Sequence, residues 1–267
     1  MAYIEVEQRK RVYFEHFEGR GTAMLLVHGW GVDSRCWDTT LPALLATGRP
    51  IISIDHRACG RSDRDFSDVS VGAIARDVVA LVTHLELQSV VLNGWSLGGA
   101  VVVDAAARLG ARVGGLVLTG GATPRYTQAA DFPWGGTHEV VQGTIDAITA
   151  DRAGTFAGVA RAVFAEDPGA AQLSNMAGMF LAASPRAYGT LLDLANVDQR
   201  ALLPKITAPA LLAHGDADQF VPLDVARAAA AALPNATLSV YPGCGHAPFL
   251  EARARYISEL VAFLLAV

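Results

Sequence analysis

Cysteine is scarce in this chain of 267 residues: Cys36, Cys59 and Cys244 are odd in number, and no two share a CxxC spacing. That pattern excludes a disulfide framework and a zinc-ligand set, and it fits a reducing, cytoplasmic compartment. Charge is also sparse. Charged residues make up 18%, with 21 Lys and Arg against 26 Asp and Glu, a net charge of −5 and no block of one sign. Such a surface has no electrostatic footprint for nucleic acid or an anionic membrane, so neither is expected as a partner. Every apolar run is interrupted by Gly, Pro or a charge before the roughly 18 residues of a membrane span. The N-terminal stretch Ala2-Tyr3-Ile4-Glu5-Val6-Glu7 lacks the basic and apolar regions of an export signal. Against these absences stand 52% hydrophobic residues, 26 Gly and 12 Pro, enough for a large core and incompatible with a disordered tail protein. The length suits one α/β core carrying an insertion.

Ile4 and Val6, then Val12 and Phe14, alternate with polar residues on either side of Gln8 to Lys10, which predicts an antiparallel hairpin at a sheet edge. Six short apolar runs without alternation follow: Ala23 to Val27, Ile51 to Ile54, Val90 to Leu92, Leu116 to Leu118, Ala210 to Ala213 and Leu238 to Tyr241. Strands buried on both faces read this way. Between them lie helical spacings such as Val71, Ile74, Val78, Leu81, Val82 and Leu85. Strand and helix in alternation imply right-handed crossovers and a doubly wound, mostly parallel α/β sheet, with its ligand site at the carboxyl ends of the strands. The alternation stops between 123 and 205, where apolar residues keep helical spacing and Pro124, Pro133, Pro204 and Pro209 mark the borders. This segment is expected to be an inserted helical lid on a core formed by 1–122 and 206–267.

Gly94-Trp95-Ser96-Leu97-Gly98 joins the run Val90 to Leu92 to a helical segment, the context of a nucleophile elbow. The glycines permit a turn so tight that the Ser96 hydroxyl stands above the sheet, with a helix N-terminus behind it that favours developing negative charge. The competing reading is a glycine-rich turn whose serine merely caps the helix. His28-Gly29-Trp30-Gly31 after the first buried strand can aim the Trp30 N–H at the same spot, forming an oxyanion hole with the Leu97 N–H. His28 itself is expected to pack under that turn. His214-Gly215-Asp216-Ala217-Asp218 closes a later strand: Asp218 reaches across the site to orient a histidine, and Asp216 caps the backbone of its own turn. His246, in the loop after the last strand, completes the chain order Ser, Asp, His.

Together, His28 to Gly31, Asp55-His56-Arg57-Ala58-Cys59-Gly60-Arg61-Ser62, Gly94 to Gly98, Gly215 to Asp218 and Gly245-His246 resemble the α/β-hydrolase fold superfamily, in family order and over nearly the whole chain. Gly94 to Gly99 and His246-Ala247-Pro248-Phe249 are similar to the pimeloyl-carrier-protein methyl ester esterases, and the wider surroundings to the arylesterase and cofactor-free haloperoxidase branch. Ala58 stands where the family usually has glycine, and Asp55 and Arg57 are expected to hold loops. Cys59 and Cys244 are expected to be inert thiols. The resemblance implies a serine carboxylesterase in which Ser96 attacks, His246 carries the proton, Asp218 orients the imidazole, and Trp30 and Leu97 hold the oxyanion. It needs no metal and no cofactor. A serine at this position argues against the dehalogenase and epoxide hydrolase branches, which use a carboxylate.

Trp95, Phe132 and Trp134, with the ring of Trp30, suggest an apolar pocket for small acyl or aryl esters, whereas Phe180 reads as core. Pimeloyl-carrier methyl ester esterase, lactonase, perhydrolase or haloperoxidase-like and C–C bond hydrolase activities use the same constellation, and a non-catalytic ligand-binding protein shares the fold. Five arginines against eight carboxylates from Thr123 to Pro204 give the expected lid a charge of −3, which favours small free esters over an acidic carrier protein.

Overall fold

A computed structural model describes residues 2–267. The chain runs through strands β1 (Ala2–Glu7), β2 (Lys10–Phe17) and β3 (Ala23–Val27), helix α1 (Leu41–Leu45), β4 (Ile51–Ile54), α2 (Val71–His84), β5 (Val90–Trp95), α3 (Leu97–Leu109) and β6 (Val113–Thr119). Four helices follow: α4 (His138–Ala150), α5 (Arg152–Ala162), α6 (Ala170–Ala182) and α7 (Tyr188–Leu194). The sheet resumes with β7 (Ala210–Gly215), α8 (Leu223–Ala232) and β8 (Ala236–Tyr241), and the chain closes with α9 (Pro248–Glu251) and α10 (Arg253–Ala266).

The eight strands form one sheet in the order β1-β2-β4-β3-β5-β6-β7-β8. The hairpin β1–β2 and the pair β2–β4 are antiparallel, and every other pair is parallel. The expected hairpin therefore does occupy an edge, and Ile4, Val12 and Phe14 turn inward from it.

β3 shows why the parallel strands read as unbroken apolar runs. Ala23, Leu25 and Val27 belong to the core on one face of the sheet, while Met24 and Leu26 belong to the core on the other. All five are buried, and covering each Leu or Val is worth about 1.5–3 kcal/mol. The first core is filled by the apolar stripes of α2 and α3, the second by Tyr256, Leu260 and Leu264 of α10. α2 starts where Ser70 accepts the Ala73 N–H through its hydroxyl (3.1 Å), and its buried stripe Val71, Ile74, Val78, Leu81 repeats at helical spacing.

Between Thr119 and Ala210, the described residues make no strand of the sheet, only the isolated bridges Thr127–Gly136 and Ala129–Phe132. This segment adds Ile148, Phe156, Met176 and Phe180 to the second core. It passes over the carboxyl ends of the strands, where its residues share a cavity with the turns after β3, β5, β7 and β8.

Candidate active site

The turn after β5 holds Ser96 at φ 57°, ψ −121°, a conformation that L residues rarely adopt. Backbone bonds fix it. The Ser96 N–H donates to Thr119 O (3.0 Å), and its carbonyl accepts the N–H groups of Gly99 (2.8 Å) and Ala122 (2.9 Å). Gly94 and Gly98 are required by close approach, since a Cβ on the first would lie 2.2 Å from Gly98 O and on the second 2.4 Å from Val27 O. Ser96 precedes α3 as its cap residue, yet its side chain makes no capping hydrogen bond. The reading of this serine as a mere helix cap therefore fails, and its hydroxyl is left to the cavity. Leu97 opens α3, so its N–H is among those no helical carbonyl can satisfy. Gly29 and Trp30, after β3, line the cavity opposite.

The acid and the histidine arrive on neighbouring loops. His246 Nδ1 lies 2.7 Å from Asp218 Oδ2, and both side chains are buried. Asp218 Oδ1 accepts the N–H groups of Phe220 (2.8 Å) and Val221 (3.0 Å). Burial works to raise the Asp218 carboxyl, but the charge and hydrogen bond of His246, with help from His214 and the Val221 N–H, prevail and hold it below the usual carboxylate range. His214 lies 3.5 Å from Asp218 and donates from Nε2 to Val221 O (2.8 Å); burial lowers its pKa. The His246 carbonyl accepts the Trp95 indole N–H (2.9 Å), and its own N–H donates to Val163 O (2.8 Å), so the loop is tied both to the elbow and to the helical segment. Ser96 and His246 face the same cavity of about 320 Å³.

Glu251 adds a clasp that neither spacing nor motif reveals. Its two carboxylate oxygens accept the N–H of Gly245 (2.9 Å) and of Ala165 (2.8 Å), joining the His246 loop to the helical segment. Burial raises its pKa against the pull of those N–H groups. Asp216 differs from expectation: it accepts the Gly243 N–H (2.7 Å) and so caps the turn after β8 rather than its own, because the two loops run side by side.

His28 is structural, as expected. Its Nε2 accepts the His56 N–H (2.9 Å), so Nδ1 carries the proton and donates it to Gly29 O (2.7 Å), with the ring stacked on His56 at 3.7 Å. Asp55 ties the loops by accepting the N–H groups of Ser34 and Arg61, both at 2.8 Å. Arg57 is locked to Asp77 through Nε (2.5 Å) and Nη2 (2.7 Å) and also pairs with Glu7. Ala58 adopts φ 64°, the left-handed conformation for which glycine is the easier residue. All three cysteines are free and buried, and burial pushes each thiol up and away from the reactive thiolate.

The aromatic residues need correction. Trp95 lines the cavity, but Phe132 and Trp134 do not. The bridges at 127–136 and 129–132 fold that stretch back on itself, burying Phe132 in the first core with Trp134 edge-on to it at 5.1 Å and partly in solvent. Phe180, read as core, both stacks on Phe156 (5.4 Å) and lines the cavity with Trp30, Tyr126, Val159 and Phe220. Among the described residues no cluster of His, Cys, Asp and Glu could hold a metal ion, and no helix is long and apolar enough to cross a membrane.

With the sheet and the elbow described, comparison with known proteins places the chain. The α/β-hydrolase fold family matches residues 22–253, and the chain belongs to that family. It is 34% identical over 243 residues to a pimeloyl-[acyl-carrier protein] methyl ester esterase of Aromatoleum aromaticum, covering 85% of this chain and 92% of that protein. It is 32% identical over 255 residues to a non-heme haloperoxidase of Rhodococcus erythropolis, covering 92% and 93%. Among solved structures, an esterase from Exiguobacterium antarcticum superposes with a TM-score of 0.92 at 28% identity, over 95% of both chains. The protein is thus an esterase-like hydrolytic enzyme.

Proposed function

We propose that the chain is a serine carboxylesterase acting on small, uncharged apolar or aryl esters through an acyl-enzyme. In this reading Ser96 is the nucleophile, His246 takes its proton and later delivers it to the departing alcohol, and Asp218 fixes the imidazole tautomer and stabilises its cation. The N–H groups of Trp30 and Leu97 receive the oxyanion, each such donor being worth roughly a hundred- to thousand-fold in rate. Water activated by His246 then releases the acid. The observation that carries this reading is a serine held at φ 57° with its hydroxyl free of capping, facing one cavity with a histidine whose far nitrogen lies 2.7 Å from a buried carboxylate.

The substrate class follows from the wall. Among the described residues, no Asp, Glu, Lys or Arg side chain lines the cavity. A charged acyl group would be desolvated there without a partner. Residues 123–205 act as a lid in this proposal, covering the elbow and supplying most of the apolar wall. Small free esters are favoured over a carrier-bound acyl group because four of the lid's five arginines are engaged: Arg125 and Arg200 pair with Asp198, Arg152 donates to the carbonyls of Leu181 and Ala183, and Arg161 to that of Phe164. Little basic surface is left to steer an acidic carrier. Free, buried cysteines suit a cytoplasmic setting.

A hydrolysis screen over short acyl and aryl esters, lactones and a carrier-bound methyl ester, on wild type and Ser96→Ala, tests this. Small esters should turn over best, with rates indifferent to salt between low and moderate ionic strength, and Ser96→Ala should lose about a millionfold. Preference for the carrier-bound ester, lost as salt is added, would assign the carrier-esterase role instead. Full activity in Ser96→Ala would end the serine mechanism.

A further inference from the structure

Among the buried and half-buried residues of the cavity wall, every polar side-chain group outside the reaction has a partner except one hydroxyl. The Trp30 indole N–H donates to Ala187 O (2.9 Å) and that of Trp95 to His246 O (2.9 Å). Thr144 gives its proton to Val140 O (2.9 Å), and Gln219 is exposed. Ser96 and His246 belong to the reaction. That leaves the phenol of Tyr126, which lines the same cavity and has no hydrogen-bond partner among the described residues.

The backbone carrying Tyr126 is pinned on both sides. Its carbonyl accepts the Gly136 N–H (3.1 Å), the next residue, Thr127, donates its hydroxyl to Ala195 O (2.5 Å), Arg125 pairs with Asp198 (2.8 Å), and Pro124 O accepts the Gln199 N–H (2.9 Å). The backbone beneath the ring is therefore held, and the ring itself packs against the first core. Burial, and then the nearby Asp218 charge, push the phenol's pKa up to about 12, so it stays protonated at neutral pH.

An O–H so placed in an apolar wall discriminates. When an alkyl group fills the cavity, the phenol loses water and gains nothing, whereas a substrate oxygen within reach restores the bond. The acceptor must be neutral, because among the described residues no Lys or Arg lines the cavity to pair with an anion. It is also not the scissile carbonyl oxygen, which in the esterase reading the Trp30 and Leu97 amides serve. We propose that Tyr126 is a specificity-determining residue, donating to a ketone, ether or amide oxygen of the substrate away from the scissile ester, so that esters bearing such an oxygen are preferred to their alkyl isosteres. The proposal rests on the serine esterase reading above.

The test uses p-nitrophenyl esters of straight-chain oxo acids with the ketone walked along the chain, each paired with its methyl-branched isostere, on wild type and Tyr126→Phe. In the wild type at least one oxo ester should exceed its isostere in kcat/KM by about tenfold or more. Tyr126→Phe should collapse that ratio toward one, chiefly through KM, which rises for the oxo ester and falls for the isostere. A wild type with no oxo preference at any position, or a Tyr126→Phe enzyme that keeps the wild-type ratio, overturns the assignment while leaving the esterase reading intact. Failure of the wild type to hydrolyse any ester of the set overturns both.

Discussion

The loops at the carboxyl ends of β5, β7 and β8 and the helices α4–α7 that pass over them are built by different means. The loops are stitched by backbone hydrogen bonds, by glycines at van der Waals limits and by the paired Asp218 and His246, so each reacting group has one place to be. The helices are held mainly by side-chain packing, with Phe156, Phe180, Tyr188 and Trp30 in mutual ring contact and few polar ties to the sheet. In the proposed mechanism, reaction geometry thus resides where movement is costly, and substrate choice where side-chain packing forms the wall.

The largest separation between the regions should come from the acid. Asp218→Asn should lower kcat roughly ten-thousand-fold, as losing the correct tautomer does in serine proteases, with little change in Tm. Asp216→Asn, two residues away in the same loop, should leave kcat within about threefold, because it weakens only an exposed cap to Gly243. Steady-state kinetics with thermal melts of both variants check this, and a reversal of the two would exchange their roles.

Truncating the packed region should act the other way. Phe156 is fully buried, so Phe156→Ala should cost about 3–5 kcal/mol of stability in denaturant unfolding. KM should rise more than kcat falls, since Phe156 supports Phe180 and Trp30 in the cavity wall but touches neither reacting loop's backbone bonds.

Glu251 joins the two regions, and its removal should show in both. Glu251→Ala leaves the Gly245 and Ala165 N–H groups without their acceptor, at about 1–3 kcal/mol for a buried unpaired group. Lower Tm together with a severalfold lower kcat is expected. A variant with an unchanged Tm and full kcat would mean that the clasp carries no strain between loop and helices.

The smallest effect is a gain. Ala58 pays about 1–2 kcal/mol for its left-handed backbone, partly offset by the greater flexibility glycine has when unfolded. Ala58→Gly should therefore stabilise by less than about 1 kcal/mol, a rise of a few degrees in Tm.

These two regions were also unequally legible in the sequence. Strands β3 and β4 coincide with their apolar runs, and β5 to β8 extend theirs by a few residues, because burial on both faces writes itself directly into composition. Ser96, Asp218 and His246 could be named from turn chemistry and chain order. The short helix α1, which begins Leu-Pro, carried no periodic signal. Phe132 and Trp134 were placed in the cavity because aromatic content says nothing about direction, and local bridges turn them away. Tyr126 and Glu251 stayed invisible for a related reason: what matters is the partner each has or lacks in space, and Glu251 meets Ala165 across 86 residues of chain.

The most direct test of the account is covalent. Wild-type protein treated with a p-nitrophenyl alkylphosphonate should gain a single adduct by intact mass, peptide mapping should place it on Ser96, and esterase activity should fall in step with labelling. An enzyme that remains unlabelled, carries the adduct elsewhere, or keeps its activity when fully labelled at Ser96 would contradict the assignment of that serine as nucleophile.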